Sequence, residues 1–264
     1  MNGSKSEYEQ ERARRGAMHW GWILFSFVAS LIAWQGVVWL GGYPPFILPG
    51  PLLVLERLAE LVADGSLWFH TWVTLREVLA GLGLGTLVAT ILGYGLAHSS
   101  VAERLLSPYI VASQSVPIVA IAPLLVIWFG AGMLSKVLVC ALIVFFPILV
   151  NTVVGVRSVG RELRDLMQVL EANRWQMLWL LEVPAALPVL LGGLKVGATL
   201  AVIGAVVGEF VASDRGLGYL LKQGQQLYDT SLVFVGIAVL VVLAQTIYGT
   251  VVLLERLFLR WREA

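Results

Sequence analysis

The chain has 264 residues, of which 58% are hydrophobic and only 13% charged, and its mean hydropathy is +0.84. A soluble domain is nearer half apolar and a quarter charged, so this composition excludes an ordinary soluble enzyme and points to a protein that crosses a bilayer several times. The single cysteine, Cys140, excludes an intramolecular disulfide, and the net charge of +1 says less than the placement of the charges.

Residues 1–19 form a polar leader that mixes Glu7, Glu9 and Glu11 with Lys5, Arg12, Arg14 and Arg15. A long apolar run follows it without a small-x-small cleavage site, which reads as a signal anchor rather than a removable signal peptide. A bilayer core of about 30 Å needs about 20 apolar residues in helix. Six stretches of that kind are predicted, at 20–41, 71–97, 106–130, 135–156, 188–212 and 231–257. With the N-terminus in the cytoplasm, 13 of the 18 Lys and Arg residues fall on the inner side, as the excess of positive charge on cytoplasmic loops requires. An even number of spans returns the C-terminal tail, 258–264, to the cytoplasm. The expected architecture is an all-α membrane protein with six transmembrane helices and both termini cytoplasmic. Spans two to six, 71–257, form the core, and a cytoplasmic loop at 157–187 lies within it.

The outer segment 42–70 contains "PGPLLVLERLAELVADG". Pro51 suits a first helical turn. Leu52, Leu55, Ala59 and Val62 share a face largely opposite Glu56, Arg57, Glu60 and Asp64, which predicts an amphipathic helix, lying on the outer membrane surface or, equally, packed as an ordinary loop helix. The second span then carries Gly81, Gly85, Ala89, Gly93 and Ala97 at intervals of four, and the fifth carries Gly193, Gly197, Ala201 and Ala205 likewise. Small residues let helix backbones approach in lipid, so both stripes predict tight packing, within one chain or between two copies.

Pro117, Pro123 and Pro147 interrupt the third and fourth spans and free backbone carbonyls, as happens beside cavities. Ser113, Gln114, Ser115 and Pro117, with Asn151, are therefore candidates for a translocation path; hydrogen bonding between helices serves them equally well. Gln245 has the same two readings. Glu209 near the outer end of the fifth span is an intramembrane acid, and a structural role for it weighs more than a functional one. No catalytic residue, cofactor site or metal site is indicated. The chain has no P-loop, no His-Glu-x-x-His and no cysteine pair. It also lacks the dense intramembrane charges of proton-driven carriers, so energy for transport comes from elsewhere.

The loop between spans four and five is the polar interruption of this apolar chain. Leu163, Leu166, Met167 and Leu170 share one helical face and Arg164, Asp165, Gln168 and Glu171 the other. "RWQMLWLLEV" predicts a second helix, Asn173 can turn the chain between the two, and Pro184 and Pro188 punctuate the return to the membrane. On physics alone this is a docking element or a helix resting on the bilayer.

The loop resembles the EAA loop of permease subunits of ABC importers, whose pattern is Glu-Ala-Ala, three residues, Gly, nine residues, Ile-x-Leu-Pro. With the Pro on Pro184, "ANRWQM" and "VPAALP" agree with the family's wording. Asp165, Leu166 and Met167 stand at Glu-Ala-Ala, and Glu171 stands at the Gly. That last departure puts the turn in question, because glycine is the residue that turns there at no cost: either Asn173 takes over the turn or the first helix runs on. The resemblance extends from about residue 44 to the end through "PFILPGP", "TLREVLAGLGLGTLVATILGYGL", "SVPIVAIAPLLVIWFGAG", "FFPILVNTVVGVRSV" and "GEFVASDRGLGYLL". These are similar to the nitrate/sulfonate/taurine/bicarbonate type of importer permease, and the wording is nearest to permeases for riboflavin or a pyrimidine precursor of thiamine. The resemblance implies the type I ABC importer fold and a bacterial inner-membrane location. The implied partners are two ATPase subunits, which would hold ATP and Mg, a second permease copy, an extracytoplasmic substrate-binding protein and the lipid bilayer. No nucleic acid is implied. It marks Asp165, Glu171, Ala172, Asn173, Arg174, Trp175, Met177 and Pro184 as the ATPase-coupling set. An autonomous channel or secondary carrier is the alternative of a different class.

Overall fold

Between helices in lipid there is no hydrophobic drive, so which helices pair is decided by how closely their backbones can approach. In the computed structural model, which describes residues 22, 25, 26 and 28–259, this rule organises the molecule around one helix. The elements are α1 (Val28–Gly41), α2 (Pro51–Ala63), α3 (Ser66–His98), α4 (Ser100–Gln114), α5 (Ile118–Phe129), α6 (Met133–Arg157) and α7 (Arg161–Val169). They are followed by α8 (Arg174–Gln176), a π-helical segment (Met177–Glu182), α9 (Val183–Val211), α10 (Leu217–Gln226) and α11 (Thr230–Phe258).

Helix α6 runs between α3 and α9, and both predicted small-residue stripes face it. A methyl group added at Gly81 would lie 2.2 Å from Cβ of Cys140, and one at Gly85 would lie 2.8 Å from the carbonyl oxygen of Ala141. From the α9 side, a methyl at Gly204 would lie 2.7 Å from Cα of Cys140, and one at Gly193 2.8 Å from Cβ of Asn151. These approaches are closer than carbon atoms tolerate, so the glycines are what allows the helices to meet. The packing is within one chain. Around it, α11 lies against α9 and α10, and Trp34 of α1 stacks on Phe234 of α11 at 5.1 Å.

Among the described residues, four helices are long and apolar enough to cross a membrane: Ser66–His98, Met133–Arg157, Arg174–Val211 and Thr230–Phe258. Two predicted spans need correction. The span predicted at 106–130 is not one helix. It breaks at Ser115–Pro117 into α4 and α5, because proline disfavours helical geometry in the residue before it and brings no N–H of its own. The span predicted at 188–212 begins much earlier. Helix runs without interruption from Arg174 through Pro184 and Pro188 to Val211, so these prolines do not end it; the wider π-helical turn just before Pro184 is where the ladder changes register. In α2 the buried face is Val54, Leu58 and Leu61, whereas Leu52, Leu55 and Val62 are exposed. The helix has a protein face and a separate exposed apolar face. It is tied down by Arg57, which bonds Glu60 at 2.7 Å and Asp229 at 3.0 Å. The Glu60 hydrogen bond, with Asp229 beside it, raises the Arg57 guanidinium above its ordinary range. The predicted leader 1–19, the start of the first span and the tail beyond 259 lie outside the described residues.

Replacing Gly85 by Val should lower the thermal midpoint of the purified protein by an amount equivalent to about 1–3 kcal/mol, the usual cost of overpacking. Gly83 lies two residues away with open space around it, and Gly83→Ala should leave the midpoint unchanged or raise it.

Candidate functional site

The loop at one end of the bundle begins with α7, which presents its apolar face outward: Leu163, Leu166, Val169 and Leu170 are all exposed. Asp165 is also exposed. Exposed contiguous apolar surface marks interaction sites. The turn that follows corrects the sequence expectation. Glu171 itself adopts the left-handed conformation, at φ 53°. Its N–H donates to the carbonyl of Gln168 at 2.9 Å, and the N–H of Ala172 donates to that of Met167 at 3.0 Å. This is the paired bonding of a Schellman motif. The left-handed conformation costs a non-glycine residue roughly 1–2 kcal/mol, while two satisfied hydrogen bonds return about 0.5–1.5 kcal/mol each, so the turn stays where the family pattern has its glycine. Asn173 does not take it over. It is extended (φ −73°, ψ 169°) and caps the next helix. Its side chain accepts from the N–H of Gln176 at 2.9 Å, and the Gln176 side chain accepts from the Asn173 N–H at 2.8 Å, which is a reciprocal capping box.

Beyond that cap the chain rises as one helix. Trp175, 70% exposed, projects from it, while Met177 lines a cleft between loop and bundle and Pro184 sits in the first turn of α9. Glu182, at the end of the π-helical segment, is buried and links loop to bundle. It accepts from the Tyr94 hydroxyl at 2.9 Å, meets Nε2 of His98 at 2.9 Å and lies 3.5 Å from the Arg164 guanidinium. Arg164 also donates to the carbonyl of Val156 at 2.9 Å. The loop is thereby tied to the ends of α3 and α6. Arg157 adds a second tie, donating to the carbonyls of Leu96 and Ala97 that end α3 and pairing with Glu103 of α4. Lys195 and Glu255 join α9 to α11 at 2.8 Å.

The candidate path residues are more dispersed. Ser115 and Pro117 lie at the α4–α5 break. The side chains of Ser113 and Gln114 lie outside the described residues. Asn151 donates to the carbonyl of Pro147 at 2.7 Å and packs on Gly193 of α9, a contact between helices.

A second polar cluster occupies the opposite end, and only Glu209 of it was expected. Glu209 is fully buried and does not reach water. Three backbone N–H groups at the start of α10 are taken by side chains of other helices: Gly216 by Nδ1 of His70 at 2.9 Å, Leu217 by Oγ1 of Thr74 at 2.8 Å, and Gly218 by Glu209. The Thr74 hydroxyl donates to Glu209 at 2.6 Å. A carboxylate at a helix N-terminus is stabilised by the orphan N–H groups and the helix dipole, so Glu209 fixes α10 across the end of the bundle. Beside it, Glu77 and Lys136 are buried 3.9 Å apart, and Lys136 donates to the carbonyl of Ala131 at 3.1 Å. They line a cleft of about 280 Å³ with Arg76, Asp214 and Arg215. The Arg215 hydrogen bond lowers the Asp214 carboxyl below its ordinary range. A signal for Glu77 was available: it stands four residues before Gly81, on the same buried stripe.

Comparison with known proteins gives this arrangement a context. The family described as "Binding-protein-dependent transport system inner membrane component" matches residues 81–260. The chain is 52% identical to the riboflavin transport system permease protein of Chloroflexus aurantiacus, over 89% of this chain and 87% of that one. It is 35% identical to the formylaminopyrimidine transport permease protein of Halalkalibacterium halodurans, over 90% and 94%. It is 32% identical to a putative aliphatic sulfonates transport permease protein of Bacillus subtilis, over 98% and 95%. The fold matches that of a chain of the MetNI methionine ABC transporter in inward-facing conformation, with TM-score 0.62 and 18% identity, covering 73% of this chain and 97% of that one. The family and the subgroup agree with the resemblance drawn from the loop and span wording.

Glycine at position 171 should relieve the left-handed penalty without moving the turn. Glu171→Gly is expected to raise the thermal midpoint by about 2–4 °C, the shift that roughly 1 kcal/mol produces in a chain of this size. Glu171→Val, whose β-branched side chain resists that conformation, should lower it.

Proposed function

The chain belongs to the family of binding-protein-dependent transport system inner membrane components, permease subunits of ABC importers, and from that premise we propose that it carries a vitamin-like heterocycle, riboflavin or a pyrimidine precursor of thiamine, into the cell. The 52% identity to a riboflavin permease supports this cargo. A sulfonate or taurine is the second reading, favoured by the relative from Bacillus subtilis. In this reading the loop end of the bundle faces the cytoplasm, and two copies of the chain pair in the membrane. Two ATPase subunits dock on the loops, and an extracytoplasmic binding protein delivers solute to the α10 end. ATP and Mg belong to the ATPases.

The observation that carries the reading is the loop's construction. An apolar face and an exposed Trp175 are held out from the bundle, while Glu182, Arg164 and Arg157 fasten the same loop to α3 and α6. Such an element meets a soluble partner on one side and passes a displacement to the helices on the other, as coupling between two global states requires. Asp165 and Trp175 supply the exposed docking surface, Ala172, Arg174 and Met177 back it along the cleft between loop and bundle, and Glu171, Asn173 and Pro184 shape it. Ser113, Gln114, Ser115 and Pro117, at the helix break, remain the proposed path residues; Asn151 belongs there only if the α6–α9 contact opens.

In reconstituted vesicles, uptake of riboflavin should require the loaded binding protein, the ATPase and ATP together, and taurine should not compete. Ala172→Glu should abolish uptake and ATPase co-purification while leaving insertion intact. Uptake by this chain alone in ATP-free vesicles would contradict the importer reading; taurine uptake without riboflavin uptake would contradict only the cargo.

A further inference from the structure

Two clefts meet at the loop end. One is a groove of about 540 Å³ in the flank of the bundle, between α3, α6 and the π-helical segment, walled by Leu87, Ile91, Val156, Leu178, Trp179 and Leu190. Leu87, Ile91 and Trp179 are exposed, so the groove is open at its side. The other, of about 660 Å³, lies between the bundle and the loop, and its polar walls include His98, Arg164, Arg174 and Glu182. Tyr94 and Glu182 line both. The combined space therefore has an apolar arm along the membrane-spanning helices and a basic head toward the loop.

The head has spare donors. Glu182 is engaged by Tyr94, His98 and Arg164. Nε of Arg164 is nevertheless buried with no hydrogen-bond partner, and the Arg174 guanidinium has no hydrogen bond or ion pair among the described residues. The head thus carries two guanidinium groups, the partly buried Arg164 and the exposed Arg174, against the one carboxylate of Glu182. A buried donor left unmade costs about 1–3 kcal/mol, and an anion seated in this head would satisfy Nε of Arg164 and offset the excess positive charge. A free anion leaves the apolar arm unexplained, and a neutral amphiphile leaves the guanidinium groups unanswered. Arginine suits phosphate because its planar fork matches that oxygen geometry. Basic pockets between helices at the cytoplasmic surface bind anionic lipid headgroups.

We propose that this space holds one anionic phospholipid of the inner leaflet, with its phosphate between Arg164 and Arg174 and an acyl chain along Ile91 and Trp179. The site rests on the cytoplasmic placement of the loop. A lipid bound there bridges α3, α7 and the π-helical segment, and it stiffens the joint through which the loop is attached.

The full-length permease, purified without ATPase from vesicles of phosphatidylethanolamine with a minor share of phosphatidylglycerol, should retain one phosphatidylglycerol per chain in native mass spectrometry. Retention should fall at least about tenfold in Arg164→Gln/Arg174→Gln, a loss of 1.4 kcal/mol or more. Ile91→Trp, which fills the groove from an exposed position, should lower it comparably and covers the case in which the arginine variant fails to fold. Equal retention of phosphatidylcholine, displacement by millimolar inorganic phosphate, unchanged retention in Ile91→Trp, or a lipid-free dimer with the second copy seated in the groove would each overturn the proposal. Orientation is read separately: a membrane-impermeant maleimide should not label Leu170→Cys in intact cells. Labelling there would remove the cytoplasmic placement, whereas ATP-independent uptake with lipid retention intact would remove only the importer reading.

Discussion

Cys140 of α6 has a glycine backbone against it from each side, Gly81 of α3 and Gly204 of α9, and this three-helix contact is the constraint on which the rest depends. It repeats along the helices through Gly85 and Gly93 on one side and Gly193 and Gly208 on the other. Because a methyl added at any of these glycines would fall within 3.1 Å of α6, α3, α6 and α9 cannot slide past one another without a clash. Small displacements at one end of such a packed group are passed to the other rather than absorbed.

Both polar clusters sit at the ends of these same helices. At the α10 end, Glu209, Thr74 and His70 supply acceptors to a helix start that has no cap of its own. At the loop end, Glu182 receives Tyr94, His98 and Arg164. Ionisable groups inside a membrane domain are tolerated only when paired or facing a cavity, and each of these carboxylates meets that condition by binding one element to another. Glu77 meets it differently, beside Lys136 and facing a cleft. One of its oxygens has no partner, and it lines the cleft shared with Lys136, Arg76 and Arg215. The polar groups thus fix the two ends, and the glycines fix the middle.

Much of this was legible in the chain. The four-residue stripes announced the close helix pairs, because one spacing and one residue size suffice for backbone approach. What they meet, α6 in the same chain, was not legible, since a stripe does not name its partner. Proline misled in both directions. Pro117 breaks a span read as continuous, while Pro184 and Pro188 sit inside a helix read as interrupted, and the difference lies in the π-helical turn before Pro184, which no local signal marks. At Glu171 the residue argued against the turn, but hydrogen bonding to Met167 and Gln168 outweighed its preference. Two partners of Glu182, Tyr94 and His98, are more than eighty residues away in sequence, so the joint between loop and bundle emerges only from the fold.

In the proposed coupling role, that joint is where a movement of the loop becomes a movement of the helices, and its rigidity is measurable as a distance. Spin labels at Leu170→Cys on the loop and Leu92→Cys on α3, both exposed positions, can be placed in a Cys140→Ala background of the assembled transporter and read by pulsed electron paramagnetic resonance. A loop that moves with α3 as one body gives a single narrow distance that is the same with and without ATP. A broad distribution, or one that shifts when ATP is added, would contradict it.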